Sequence, residues 1–480
     1  MNKSILIDLL SKFTPKEIRE FGEYVHSPFF NKNESVIKLF EYIRKHYPDF
    51  DSVKLKKESV FEKIFPNVAY NDGFMRTIIF NLIELAETYL AFIRYKECHF
   101  TERKYLLHEL NEKELNRQIE RIMKKTLKEF ESIKIQNADY YNDRFMIEYE
   151  YFYYLNRANL DKIERFINRT DVEDMFNHLT YFYLFYAIKH YVYFLNTQSM
   201  YSINFKTGFI EDIFRNLEPG YFQDIPTLSL YYDILMLFLK EDDTSYFYKV
   251  KKKVNEFEKR LNRYEITGSY INLENYCKRM IRKGNNVFLK ELLEIYKIKI
   301  EKKLYALQKE MSGKFYRGVV DTALKLKEFD WAKEFIEKYK DELPADSCED
   351  FYYYCLSLYE FAVKNFERSL ELLSKVKYTE VYQKTELRCL IAELYYELDM
   401  DDMLLSHIDS FRHFLVNDRL IPAERKEHYC NFVKYIKNLN KLKGNENDAE
   451  LHCLNQKISE NSAVYNKDWL LEKSAELQKK

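Results

Sequence analysis

Apolar residues recur at three- and four-residue intervals along the chain, and this period predicts helices throughout. Ser4 to Leu10 starts a short helix. Thr14-Pro15-Lys16-Glu17 then reads as a capping box, with Thr14 as N-cap, Pro15 in the first helical position and Glu17 reaching back. That helix ends near His26, before Ser27-Pro28. Asn33 caps a third helix, with Val36, Ile37, Phe40 and Ile43 on one face, and Pro48 stops it. Ser59 to Phe65 is a short helix ending at Pro66. Asp72 opens a long one with Ile78, Leu82, Leu85 and Leu90 inward. From Thr101 to Gln136 the pattern predicts one long polar helix with a single stripe of Leu115, Ile119, Ile122, Leu127, Phe130 and Ile133. Residues 140–265 are rich in aromatic helical segments. There 149–155 is expected to pair with 160–167, and 231–239 with 245–254, with a loop at 216–227.

Internal similarity is strongest downstream. The stretches at 287–296, 330–339, 366–375 and 400–409 share a pattern. Glu291-Leu292-Leu293-Glu294-x-Tyr296 aligns with Glu334-Phe335-Ile336-Glu337-x-Tyr339 at an offset of 43. Phe329, Phe366 and Met400 align at offsets of 37 and 34. Ala332, Ser369 and Met403 follow three residues later, and Val320, Ser357 and Ile391 take one equivalent position in the preceding helix. This pattern, over residues 275–415, resembles the tetratricopeptide repeat, whose period is about 34 residues. The resemblance implies helical hairpins stacked into an α-solenoid with a concave face. By register that face is expected to carry Lys314, Arg317, Asp321 and Leu324, then Tyr354 and Leu358, then Arg388 and Tyr395. Some tetratricopeptide domains clamp a peptide carboxylate there. Lys314 and Arg317 partly match such a clamp, but Asp321 stands where it has asparagine.

The first fifth of the chain, SPFFNKN through VFEKIFPNVAYNDGFMRTIIFNLIELAETYL, resembles the N-terminal part of bacterial helical-repeat proteins, a likeness that implies no chemistry. The run from VFEKIFP through Met75-Arg76, Ile79, Leu82 and Leu85 is also similar to the helical part of a winged helix-turn-helix, although no wing-like hairpin follows Leu90.

Composition strengthens the helical reading. Only 9 glycines and 8 prolines in 480 residues leave few turns and few helix breakers. With 76 basic and 77 acidic residues the net charge is −1, which gives no global attraction to nucleic acid or an anionic membrane. The window from Leu179 to Leu195 is apolar, but Lys189 and His190 interrupt it, so a buried helix rather than a membrane span is expected. Seven scattered cysteines without a C-x-x-C pair read as free thiols in a reducing cytoplasm.

Chemistry-bearing motifs do not emerge. Gly313 and Gly318 have P-loop-like spacing but are followed by Val-Val instead of Lys-Ser/Thr. His407 and His413 lie six apart, off a common helical face. No cofactor, metal or catalytic residue is expected.

The chain is thus read as all-α. A compact N-terminal helical domain occupies 1–98, a long connecting helix 99–138 and aromatic-rich hairpins 139–270. Tetratricopeptide-like repeats follow at 271–440 and capping helices at 441–480. The expected function is a non-enzymatic scaffold that binds a protein or peptide on its concave face through Lys314, Arg317, Tyr354, Arg388 and Tyr395. The alternative is a transcriptional regulator with an N-terminal DNA-binding domain and a helical-repeat sensor.

Overall fold

The computed structural model describes residues 4–50, 55–158, 171–201, 203–215, 217–218, 220, 225–305, 310–377, 381–443 and 448–478. The protein is all-α, with no strand among the described residues. The chain divides into two compact units: residues 1–131 with 143–176, and residues 132–142 with 177–480.

In the first unit, α1 (Ile5–Leu10), α2 (Pro15–His26), α3 (Glu34–Arg44), α4 (Lys57–Ile64) and α5 (Asp72–Glu97) enclose one core. The expected capping box is present: Thr14 Oγ1 accepts from the Glu17 amide at 3.2 Å, and Glu17 Oε2 accepts from the Thr14 amide at 2.7 Å. Phe21, Phe40 and Phe61 are fully buried, and Tyr89 of α5 closes the core over Phe21 at 5.2 Å between ring centres.

The expected long helix at 99–138 is instead a hairpin, α6 (His99–Glu112) and α7 (Asn116–Glu131). Glu114 takes φ 55°, and the Leu115 amide returns to the Leu110 carbonyl at 2.9 Å. That six-to-one bond around a left-handed residue is a Schellman turn. It lets Leu107 and Leu110 of α6 and Ile119, Ile122 and Met123 of α7 share one interior. α8 (Ala138–Ala158) supplies Glu150 to this unit, where its backbone carbonyl accepts from Asn111 Nδ2 at 3.0 Å. The expected partner of 149–155, at 160–167, lies outside the described residues.

In the second unit, α9 (Asp171–Met200) carries the apolar window, and no described helix is long and apolar enough to cross a membrane. α10 (Gly208–Arg215) follows. Half of the expected 216–227 loop (216, 219 and 221–224) lies outside the described residues, and Pro226 and Thr227 already belong to α11 (Pro226–Leu239), which packs on α12 (Ser245–Glu256) as expected.

Five helix pairs complete the chain: α13 (Arg263–Arg282) with α14 (Val287–Glu301), α15 (Gly313–Lys325) with α16 (Phe329–Tyr339), α17 (Cys348–Ala362) with α18 (Phe366–Leu373), α19 (Val381–Glu397) with α20 (Asp401–Asn417), and α21 (Ala423–Leu442) with α22 (Asp448–Glu460). α23 (Lys467–Gln478) packs on both members of the last pair. Four of these pairs turn through the same device. Gly284, Lys327, Lys364 and Asp399 have positive φ, and the amides of Asn285, Glu328, Asn365 and Met400 return to carbonyls five residues earlier at 2.8–3.0 Å. Small or apolar residues twelve apart are then buried in three of the pairs. Val320 and Ala332, Ser357 and Ser369, and Ala392 and Leu404 are all 0 % exposed, and Ser357 and Ser369 bond to each other at 2.9 Å.

This recurrence corrects the expected register of the third copy by one residue. Met400 caps α20 from outside the helix instead of opening it, so the offset from Phe366 is 35, to Asp401. Ala392 and Leu404 therefore replace Ile391 and Met403 as the buried pair, and Met403 is 48 % exposed.

Candidate functional site

The first helices of successive pairs, α15, α17, α19 and α21, are in contact in the order α15–α17 and α19–α21, and α23 joins α21. Buried polar groups recur along these helices and their neighbours in the second unit. At one end, Glu274 of α13 is held by three groups. Lys299 Nζ donates to Oε2 at 2.6 Å, Lys278 Nζ to Oε1 at 2.6 Å, and the Tyr296 hydroxyl to Oε1 at 3.4 Å. Lys299 also lies over the Phe315 ring at 4.7 Å. Burial alone would raise the Glu274 pKa, but Lys278 and Lys299 outweigh it and hold the carboxyl at about 2. Gly318 makes room here, since a Cβ would stand 2.7 Å from the Tyr296 hydroxyl oxygen.

Further along, Arg317 of α15 forms an ion pair with Glu386 of α19, two pairs away in the chain. Tyr354 of α17, 8 % exposed, lies within the field of both. Burial pushes its hydroxyl well above the usual range, helped by Glu386 and opposed by Arg317. Next, Glu393 of α19 is 3 % exposed, and its Oε1 accepts from Asn466 Nδ2 at 2.7 Å. Burial raises its pKa to about 8; Glu397 and Asp321 add to the rise, while the Asn466 hydrogen bond and Lys325 oppose it. At the far end, Glu397 Oε1 accepts from Trp469 Nε1 at 2.9 Å and pairs with Lys473 Nζ at 2.9 Å.

Of the five residues expected to bind a partner, the structure brings Arg317 and Tyr354 together around Glu386. Lys314 is exposed at the start of α15. Arg388 and Tyr395 face elsewhere. The Arg388 guanidinium donates to Ser410 Oγ at 3.2 Å and lies 5.1 Å over the Phe414 ring, and Tyr395 meets the His407 ring at 5.8 Å. Both pack on α20, inside their own helix pair. The one-residue register error explains this. With Ala392 aligned to Val320 and Ser357, the residue equivalent to Arg317 and Tyr354 is Cys389, and Glu386 and Glu393 flank it on the same face. Ile391/Met403 and Ala392/Leu404 are both twelve apart, so spacing alone could not find them; burial of Ala392 and Leu404 does.

The chemistry of these groups is ionic and hydrogen-bonding. Among the described residues no group of three or more His, Cys, Asp or Glu side chains is placed to hold a metal. Cys277, Cys355 and Cys389 are buried, and burial pushes their thiols far from the reactive range. No family model, curated protein or solved structure matches the chain.

Proposed function

We propose that this protein is a non-enzymatic scaffold, a tetratricopeptide-like α-solenoid over the five helix pairs, whose concave face is lined by α13, α15, α17, α19 and α21 and receives a protein or peptide. The observation that carries this reading is the recurring pair itself. The same Schellman turn returns, with buried residues twelve apart at Val320/Ala332, Ser357/Ser369 and Ala392/Leu404. A single hairpin cannot bury its apolar face alone, and stacking its copies leaves one set of helices inside the curve.

The charges on that set support a recognition role. Lys278 and Lys325 are 38 % and 50 % exposed at the side chain, yet desolvation is the largest influence on both ammonium groups. Arg282 is exposed in the same manner; desolvation, then Arg425 and Arg279, lower its pKa to about 10. Lys278 and Lys325 pair with Glu274 and Asp321 at 2.6 and 2.8 Å, and Arg317 pairs with Glu386, which argues against a carboxylate clamp built on Lys314 and Arg317.

The test is affinity capture with the full chain, wild type against Arg282→Ala/Lys325→Ala, followed by crosslinking of the captured partner. A partner retained at least tenfold better by the wild type and crosslinked near these side chains supports the reading. Equal retention removes the inner row as the contact surface. No specific observation favours DNA binding. Lys57 and Arg76 both pair with Asp72, at 3.6 and 2.7 Å, and no strand among the described residues forms a wing.

A further inference from the structure

Helix α9 has two apolar faces, and only one of them is used inside the chain. His178, Leu184, Phe185, Ile188, Tyr191 and Val192 are buried. On that side Phe185 meets Tyr231 of α11 at 5.4 Å between ring centres, and Tyr191 meets Phe214 of α10 at 5.2 Å. The opposite side carries Leu179, Tyr183, Tyr186, His190 and Tyr193, all exposed, with Tyr193 at 61 %. They are spaced by four, three, four and three residues, and Thr197 and Met200 continue the alternation. That alternation is the a and d repeat of a coiled-coil seam. At 1.5 Å per residue the stripe runs about 30 Å along the helix, far more than the scattered single apolar residues of an ordinary surface.

We infer that this stripe is a dimer seam and that its occupant is the same stripe of a second copy of the chain. The inference goes beyond the scaffold reading, since α9 lies outside the five helix pairs. A partner that fills the gaps between these side chains must be a helix with the same repeat, and the chain itself supplies one. The stripe offers nothing to a highly charged partner: Lys189 is the only Lys, Arg, Asp or Glu between Met175 and Met200. The same scarcity of basic residues removes the attraction that holds amphipathic helices on anionic membranes. A net charge of −1 leaves two copies without long-range repulsion. The area is sufficient. With ~200 Å² for each aromatic ring, the exposed parts of Leu179, Tyr183, Tyr186, His190, Tyr193 and Met200 come to about 500 Å² per copy, and a pair buries roughly 1,000 Å², the threshold of a specific interface. Arranged antiparallel about Ile188, the stripe maps onto itself. Tyr186 then faces the partner's His190, and Tyr183 faces the partner's Tyr193, ring against ring.

The experiment measures the mass of the full chain by sedimentation equilibrium, from about 0.5 to 50 µM. The wild type is expected to be a dimer. Tyr183→Glu/Tyr193→Glu and Tyr183→Lys/Tyr193→Lys place like charges across the seam, and each is expected to self-associate at least tenfold more weakly. An equimolar mixture of the two is expected to restore the dimer, because every glutamate then faces a lysine. A wild type that stays monomeric overturns the inference. So does a dimer that both variants keep, or a mixture no stronger than either variant alone. Should a charged variant misfold by circular dichroism, Tyr186→Ala replaces it: this removes one exposed ring, is expected to weaken the dimer at least tenfold, and overturns the inference if the dimer is unchanged.

Discussion

At the scale of single residues the structure places tight constraints where the side chains are smallest. Gly313 opens α15 against the ring of Phe351, and a Cβ would stand 2.0 Å from that ring. Gly313→Ala is therefore expected to destabilise the chain by about 1–3 kcal/mol in urea unfolding, the usual range for overpacking. Combining it with Phe351→Ala should recover part of the loss, and strictly additive effects would show that the two do not meet. Glu393 gives a second prediction, this one in pH. Its folded-state pKa, about 8, lies above the ordinary carboxyl value of 4.5 because burial disfavours the charged form. A raised pKa contributes stability fully below the unfolded value, and that contribution disappears as pH rises through about 8. Glu393→Gln keeps an acceptor for Asn466 and cannot ionise, so it is expected to lose less stability than the wild type between pH 6 and 9. Parallel stability profiles would refute this.

At the scale of elements, the turns and the buried ion pairs carry the organisation. The left-handed position of the hairpin turns is filled by glycine once, at Gly284, and otherwise by Glu114, Lys327, Lys364 and Asp399. A non-glycine residue there is strained by about 1–2 kcal/mol, partly offset by the greater unfolded-state freedom of glycine. Lys327 is exposed and makes no ion pair among the described residues, so Lys327→Gly is expected to raise stability by about 0.5–1 kcal/mol. A fall in the melting midpoint would show that the turn is not strained. The α13–α14 pair holds together through Glu274, whose pKa of about 2 lies below the ordinary value. A depressed pKa stabilises above about pH 4.5 and the contribution is lost as pH falls toward 2. Lys299→Met leaves Glu274 with Lys278 alone and is expected to cost about 3–5 kcal/mol at neutral pH, the range for breaking a buried pair. Glu274→Gln/Lys299→Met together should be milder than Lys299→Met alone.

At the scale of the molecule, each unit has an interior of its own. The first closes around Phe21, Phe40, Phe61 and Tyr89. The second is a succession of pairs with polar groups held inside, at Glu274–Lys299 within one pair, Arg317–Glu386 between first helices, and Glu393–Asn466 and Glu397–Lys473 against the last helix and the residue before it. Such contacts brace the array from within.

The sequence by itself determined the helical class, the Thr14 capping box, part of the core faces of α3 and α5 (Val36, Phe40, Ile43, Ile78 and Leu82), and the helix pairs between 287 and 417. These follow from local rules, because a 3.6-residue apolar period and a capping side chain act within a few residues of themselves. It did not determine the break at Glu114, because a charged residue in the left-handed region leaves no compositional mark. It misplaced the third copy by one residue, because Met400 looks like the apolar opener that Phe329 and Phe366 are, and only the turn at Asp399 reveals it as a cap. The pairing of Arg317 with Glu386 and of Asn466 with Glu393 was beyond it altogether. Those contacts join residues 69 and 73 positions apart. Their existence depends on how tightly successive first helices approach, which packing between pairs sets and no local pattern records. The tertiary structure alone therefore decided which polar residues pair with one another inside the second unit.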